Sequence, residues 1–177
     1  VGLRLNPQHD LLFKDCRIPE SDLLGKANEI HAGRRSITNI GTLEATSTAL
    51  GIARRAYELT LDYARNRVQG GKPIIEHHLI GSLLLEMFTR LEASRTMMWR
   101  SATSIDNEGS DDPKLARATK VMTVNMLNFV TTRSVEIWGG MGVMKEAPIE
   151  KIYRDAIQLF HMGNTNQVNM LKAMDDL

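Results

Sequence analysis

The sequence predicts an all-α protein: an antiparallel up-down helical bundle with a short β segment in front of it. Two observations predict it. From about Ala32 onward, apolar residues recur every three or four positions, the spacing of helices with one buried face. Glycine and proline clusters punctuate these stretches and leave only short connections, which place consecutive helices antiparallel.

The first thirty residues have a different texture. Leu11-Leu12-Phe13, Cys16-Arg17-Ile18-Pro19 and Leu23-Leu24-Gly25 are short apolar clusters, broken by Pro7, Pro19 and Gly25. Such punctuation suits strands and loops rather than a helix. A strand pair this small is not stable alone, so it packs on the bundle or belongs to a β domain outside the sequence.

The first helix carries Leu43, Ala49-Leu50, Ala53, Tyr57, Leu61 and Ala64 as one stripe. It stops at Gly70-Gly71-Lys72-Pro73, which cannot continue a helix. A second helix starts near Ile75, carries Leu79, Ile80, Leu83, Leu84, Met87, Leu91 and Met98, and fades at Asp106-Asn107-Glu108-Gly109. Gly109-Ser110-Asp111-Asp112-Pro113 is a polar loop whose Asp112-Pro113 supplies an N-cap and a first-turn proline. The third helix carries Leu115, Ala118, Met122, Met126, Phe129, Val130 and Val135, and stops at Gly139-Gly140-Met141-Gly142. Pro148 opens a fourth with Ile149, Ile152, Tyr153, Ala156 and Phe160. Gly163 breaks it, and a polar helix runs on from Thr165. The ten methionines suit a loosely specified helical core and require no cofactor.

Composition excludes several classes. At 177 residues the chain buries one substantial core. A net charge of +1, from 22 basic and 21 acidic residues, gives no basis for binding nucleic acid or an anionic membrane. Cys16 is the only cysteine and forms no internal disulfide, so a reducing compartment is expected: cytoplasm, or mitochondrial matrix in a eukaryote. No apolar run approaches a bilayer's thickness. The chain opens on Val1 and reads as part of a longer protein.

Self-sufficient chemistry is sparse. No His/Cys cluster has zinc spacing, and adjacent His77 and His78 face different sides of a helix, so no metal site is expected. Glu86, Glu92 and Asp62 sit on charged faces and read as solvated. Two segments rise above this background. Tyr63-Ala64-Arg65-Asn66-Arg67-Val68-Gln69-Gly70-Gly71-Lys72-Pro73-Ile74 reads either as a helix end with favourable positive charge or as a phosphate site built on Arg67 and Gln69. Glu136-Ile137-Trp138-Gly139-Gly140-Met141-Gly142 reads either as a helix stop or as a close backbone approach to a flat ligand.

Taken in chain order, these segments resemble the acyl-CoA dehydrogenase family. Phe13-Lys14-Asp15-Cys16-Arg17-Ile18-Pro19 and Leu23-Leu24-Gly25 resemble the end of that family's middle β domain. Ala49-Leu50-Gly51-Ile52-Ala53, Tyr63-Ala64 and Arg67 to Ile74 resemble its first bundle helix and flavin-contacting turn. Trp138-Gly139-Gly140-Met141-Gly142, Tyr153-Arg154-Asp155-Ala156 and Gly163-Asn164-Thr165-Asn166 resemble the remaining signatures. The resemblance implies a remnant of the β domain with a linker over 1–30 and a C-terminal helical domain over 31–177. It implies FAD as cofactor, an acyl-CoA substrate, an electron-transfer flavoprotein as acceptor, and assembly into a dimer or tetramer through the bundle.

By the same resemblance, Arg67 and Gln69 meet the FAD pyrophosphate of a neighbouring subunit, with Ile74 and His77 near its nucleotide. Glu136, Gly139 and Gly140 line the adenosine end, and Asn164 and Asn166 hold FAD in their own subunit. The departures are equally specific. The family's usual catalytic glutamate is Met162 here, and a thioether cannot accept a proton. An alternative base position is Gly41. Glu44, one turn further on, and His161 are the substitutes within this chain. The aromatic usual in the flavin turn is Gly70, and an arginine usual for coenzyme A is Thr42. The backbone N–H of Met162 could still donate to a thioester carbonyl. The expected function is thus acyl-CoA dehydrogenation by the full-length protein, with this chain alone inactive. The alternative is a catalytically silent subunit that shares an FAD site.

Overall fold

The structure is a computed structural model describing residues 2–23, 31–107 and 112–175, with side chains in the first long helix described from Asn39 onward. The described residues form helices α1 (His31–Asn66), α2 (His78–Asp106), α3 (Pro113–Trp138), α4 (Pro148–Leu159) and α5 (Asn166–Met174). A two-stranded antiparallel hairpin, β1 (Val68–Gln69) and β2 (Lys72–Pro73), joins α1 to α2. The bundle predicted from the spacing is therefore present.

Helix boundaries follow local chemistry. The Asp112 carboxylate accepts from the Lys114 N–H at 2.9 Å and the Leu115 N–H at 3.4 Å, with Pro113 in the first turn. The rest of the predicted polar loop, at 108–111, lies outside the described residues. Pro148 opens α4, and the Thr165 hydroxyl caps α5 by accepting from the Val168 N–H at 3.4 Å.

Helix α1 packs most extensively on α3 and runs parallel to it. Tyr63 at the end of α1 lies on Trp138 at the end of α3. Helices α2 and α4 return in the opposite sense. The buried face of α1 is mostly alanine: Ala45, Ala49, Ala53, Ala56 and Ala64, with Leu50. Small side chains let two helix axes approach closely and pack without voids.

On α3 the buried face departs from the predicted stripe. Thr119, Lys120, Thr123, Thr131 and Ser134 are buried beside Ala116, Val124, Met126, Leu127, Val130 and Ile137, whereas Ala118 is exposed. An apolar count misses such hydroxyls. Two of them are paired within the helix, because a helical threonine can donate to the carbonyl one turn back, whereas the Thr123 and Ser134 hydroxyls find no partner among the described residues. Thr119 does so to Leu115 O at 2.7 Å, Thr131 to Leu127 O at 2.8 Å, and on α1 Thr60 to Ala56 O at 2.7 Å. On α2, Leu84, Met87 and Leu91 are buried as predicted, but Leu79 is largely exposed.

Two further predictions need correcting. No strand forms among described residues 2–23, where Leu11, Leu12, Phe13 and Ile18 are exposed and find no pairing edge. Instead, the segment docks by its beginning: the Leu3 N–H donates to the buried Asp155 carboxylate of α4 at 2.8 Å. The predicted 30/31 boundary and Leu24-Gly25 lie outside the described residues. Helix α2 begins at His78 rather than near Ile75, because Ile74–Glu76 makes a separate 3-10 turn.

Candidate functional site

At one end of the bundle two glycine turns are held together. The first leaves α1 through Arg67, whose N–H donates to Tyr63 O at 2.8 Å and whose carbonyl accepts the Ile74 N–H at 2.8 Å. Gly70 and Gly71 have φ of 63° and 80°, so both are left-handed, the requirement of a tight two-residue hairpin. His77 Nε2 lies 3.0 Å from the Gln69 carbonyl. A carbonyl only accepts, so Nε2 carries the proton in this contact. Ile74 is buried beneath the turn and anchors it in the core. Arg67 and Gln69 point their side chains into solvent and make no side-chain hydrogen bond or ion pair among the described residues.

The second turn ends α3. Tyr63 stacks on Trp138 with ring centroids 4.2 Å apart and an interplanar angle of 12°, and its hydroxyl donates to the Trp138 carbonyl at 3.4 Å. This stack sets Gly139 and Gly140 beside the Arg67 turn. Both glycines are exposed, and Gly139 has φ of 59°. Glu136, also exposed, is ion-paired with Arg133. Gly142 is buried so tightly that a Cβ there would lie 2.5 Å from the Val135 carbonyl oxygen. Five of the predicted positions (Arg67, Gln69, Glu136, Gly139 and Gly140) thus share one exposed end, with His77 and Ile74 supporting it.

The remaining predicted positions lie elsewhere. Lys120 and Trp138 are eighteen residues apart on α3, about 27 Å at the helical rise, and Lys120 marks the far cluster. There the chain turns from α4 to α5 through Gly163 and Asn164, with φ of 65° and 74°. The Lys120 ammonium donates to Asn164 O at 2.7 Å and to Asn166 Oδ1 at 3.3 Å. The Asn166 amide donates to Asn125 Oδ1 at 3.0 Å. Lys120 is fully buried, and burial lowers its pKa from the ordinary lysine value.

Of the positions considered for a proton acceptor, His161 and Met162 belong to this turn. Met162 is half-buried and packs against the core. The N–H groups of Met162 and Gly163 donate to no acceptor among the described residues. Gly163 faces α1, where a Cβ on it would lie 3.9 Å from the Ala45 Cβ. The neighbouring Glu44 is exposed. Gly41 is exposed on the same helix, and Thr42 is buried. His161 is exposed and lines an open cavity of about 270 Å³ with Asn125, Asn128, Phe160, Thr165 and Asn166.

Two features escaped the sequence reading. Lys120 sits in the register of the buried face, between Ala116 and Thr123, and a charged residue there was a legible signal. The Tyr63–Trp138 stack had none, since it joins residues 75 positions apart.

Comparison with known proteins follows this geometry. Residues 35–174 match the family model described as acyl-CoA dehydrogenase, C-terminal domain. The chain is similar to an acyl-CoA dehydrogenase of Bacillus subtilis (strain 168), 34% identical over 172 residues, covering 97% of this chain and 45% of the relative. It is 33% identical over 156 residues to the mitochondrial short-chain specific acyl-CoA dehydrogenase of Homo sapiens, covering 88% of this chain and 38% of the relative. Its fold superposes on butyryl-CoA dehydrogenase from Megasphaera elsdenii with a TM-score of 0.88 at 28% identity, covering 93% of this chain and 43% of that one. The chain therefore spans less than half the length of the relatives it matches.

Proposed function

The chain belongs to the acyl-CoA dehydrogenase family, matching its C-terminal domain, and on this premise we propose that the full-length protein is an FAD-dependent oxidoreductase acting on an acyl-CoA thioester. The reaction is α,β-dehydrogenation: a proton leaves the carbon beside the thioester carbonyl, and FAD, when bound, accepts the hydride from the next carbon. The observation that carries this reading is the pairing of the Arg67 and Gly139 turns through the Tyr63–Trp138 stack.

The residues fit the cofactor. The exposed Arg67 guanidinium has no partner among the described residues, so a pyrophosphate there would receive charge-assisted hydrogen bonds without breaking any contact they make. Gly139 and Gly140 allow close backbone approach, with Glu136 alongside. At the other end, Asn164 and Asn166 would hold the chain's own FAD. The separation of about 27 Å along α3 suits a cofactor shared across a subunit boundary, each chain contributing its two ends to different FAD molecules. The Met162 N–H donates to no acceptor among the described residues, and in this reading it would donate to the thioester carbonyl, stabilising negative charge on its oxygen as the proton departs. Glu44 is the first choice as proton acceptor, and His161 the second.

Sharing FAD requires assembly. On α2 the exposed Leu85, Phe88 and Trp99 fall within roughly 60° of one another at 100° per residue, an apolar face suited to a second copy of the chain. Electron transfer to an electron-transfer flavoprotein is part of the proposal. One relative is named the caffeyl-CoA reductase-Etf complex subunit CarC of Acetobacterium woodii, 28% identical over 92% of this chain.

One observation favours a second reading. The thioether at residue 162 leaves the family's usual base position empty of any proton acceptor, as in a subunit that binds FAD and supports assembly without turning over substrate. The visible spectrum of the purified full-length protein, followed through addition of acyl-CoA thioesters, separates the two. Flavin bands that bleach with substrate support the enzyme, and flavin bands indifferent to every chain length support the silent subunit. Absence of flavin overturns both.

A further inference from the structure

Lys120 is the largest fully buried side chain among the described residues, and no carboxylate there pairs with it. A desolvated ammonium without a counter-charge is costly, so the fold must gain something specific from it. Among the described residues its partners are oxygens of one turn: the Asn164 carbonyl at 2.7 Å and Asn166 Oδ1 at 3.3 Å. The same turn is held from a second side by Asn169, itself buried. Its amide donates to Gly163 O at 3.1 Å, Asn164 O at 3.4 Å and Thr165 O at 3.0 Å.

The consequence is directional. In a trans peptide unit the C=O and the following N–H point opposite ways. With the carbonyls of Gly163, Asn164 and Thr165 drawn inward, the N–H groups of Asn164, Thr165 and Asn166 turn outward. The carboxamide of Asn166 is oriented by the same contact. An ammonium only donates, so Oδ1 must face Lys120, and Nδ2 faces away, one of its hydrogens bound to Asn125. Its other hydrogen remains available. We propose that Lys120 is a positioning residue for the cofactor turn: its buried ammonium fixes the Gly163–Asn166 backbone and the Asn166 amide so that a row of donors faces the FAD. This rests on the functional reading above. Lys120 touches neither cofactor nor substrate, and acts only through the turn.

The test uses the full-length protein with Lys120→Met, which keeps most of the volume and removes both bonds. Thr123→Val, one turn further along α3, is the control, because the buried Thr123 hydroxyl has no partner among the described residues. Peptide-resolved hydrogen exchange is expected to rise about tenfold or more over 160–170 in Lys120→Met, while α1 and α2 keep the parent's protection. FAD is expected to dissociate at least about tenfold faster, with Thr123→Val unchanged in both measurements. Exchange and FAD release both within about twofold of the parent would overturn the assignment. So would exchange that rises equally across the whole bundle, the mark of a merely structural lysine. Should Lys120→Met fail to accumulate folded, Lys120→Gln, which retains a shorter donor, is measured against the same outcomes. If the unmutated protein carries no FAD, the functional reading fails by itself, and the exchange measurement alone decides what Lys120 does.

Discussion

Gly142 offers a sharp test of how the α3 end is built, because its neighbour Gly140 serves as an internal control. A Cβ at residue 142 would lie 2.5 Å from the Val135 carbonyl oxygen and 3.1 Å from the Trp138 Cβ. Real Cβ contacts essentially never fall below 3.0 Å, so the Gly139–Val143 turn must move off α3 by about half an ångström or more. The obstacle is helix backbone and cannot rotate away. Overpacking of this kind costs about 1–3 kcal/mol. In a domain of this size each kcal/mol lowers Tm by roughly 2–4 °C, so Gly142→Ala should melt about 2–12 °C lower. A Cβ at Gly140 meets nothing within 4 Å, and Gly140→Ala should melt with the parent. The assay is thermal unfolding of the full-length protein, followed by circular dichroism alongside flavin fluorescence. Because the displaced turn carries Gly139, Gly142→Ala should also release flavin more readily. Equal melting temperatures for the two variants would refute the claim that backbone contact at Gly142 sets the turn.

Other expectations follow from single contacts. Arg67→Ala should weaken FAD retention by about 1.5–3 kcal/mol, read as flavin lost on dialysis, while the melting temperature stays unchanged because the guanidinium has no partner among the described residues. Unchanged flavin content would make Arg67 only a cation at a helix end. If Glu44 is the proton acceptor, Glu44→Gln should slow flavin reduction by substrate by about 10²–10⁴-fold with flavin and substrate still bound. A rate within a few-fold of the parent passes the role to His161, tested by His161→Gln in the same stopped-flow assay. Asp112→Ala removes the acceptor for the Lys114 and Leu115 N–H groups and should cost about 0.5–2 kcal/mol in denaturant unfolding. No loss there would show that the α3 start is held by packing alone.

The sequence by itself determined the bundle. Helix spacing, the Asp112-Pro113 and Pro148 starts, and the glycine stops are local properties written within a few residues, and the structure keeps them nearly in place. It also marked the Arg67 and Gly139 segments, because paired glycines at a helix end are local signals, while the Asn164 segment was marked only by its resemblance to the family. The predicted N-terminal strands fail for the opposite reason. Apolar clusters such as Leu11-Leu12-Phe13 specify a strand only when an edge is there to pair with, and the described residues supply none. Only the tertiary structure decided which segments meet. The Tyr63–Trp138 stack brings two turns together across 75 positions, and α3 holds the Asn164 turn about 27 Å away, dividing one list of motif residues into two sites. The structure also decided the polar interior. Thr119, Thr131 and Lys120 look like solvent residues in an apolar count, yet each is buried with its polar atoms paired, to a carbonyl one turn back or to the α4–α5 turn. The threonines find their partners within their own helix, but the oxygens that pair with Lys120 stand opposite it only once α5 and its preceding turn fold onto α3.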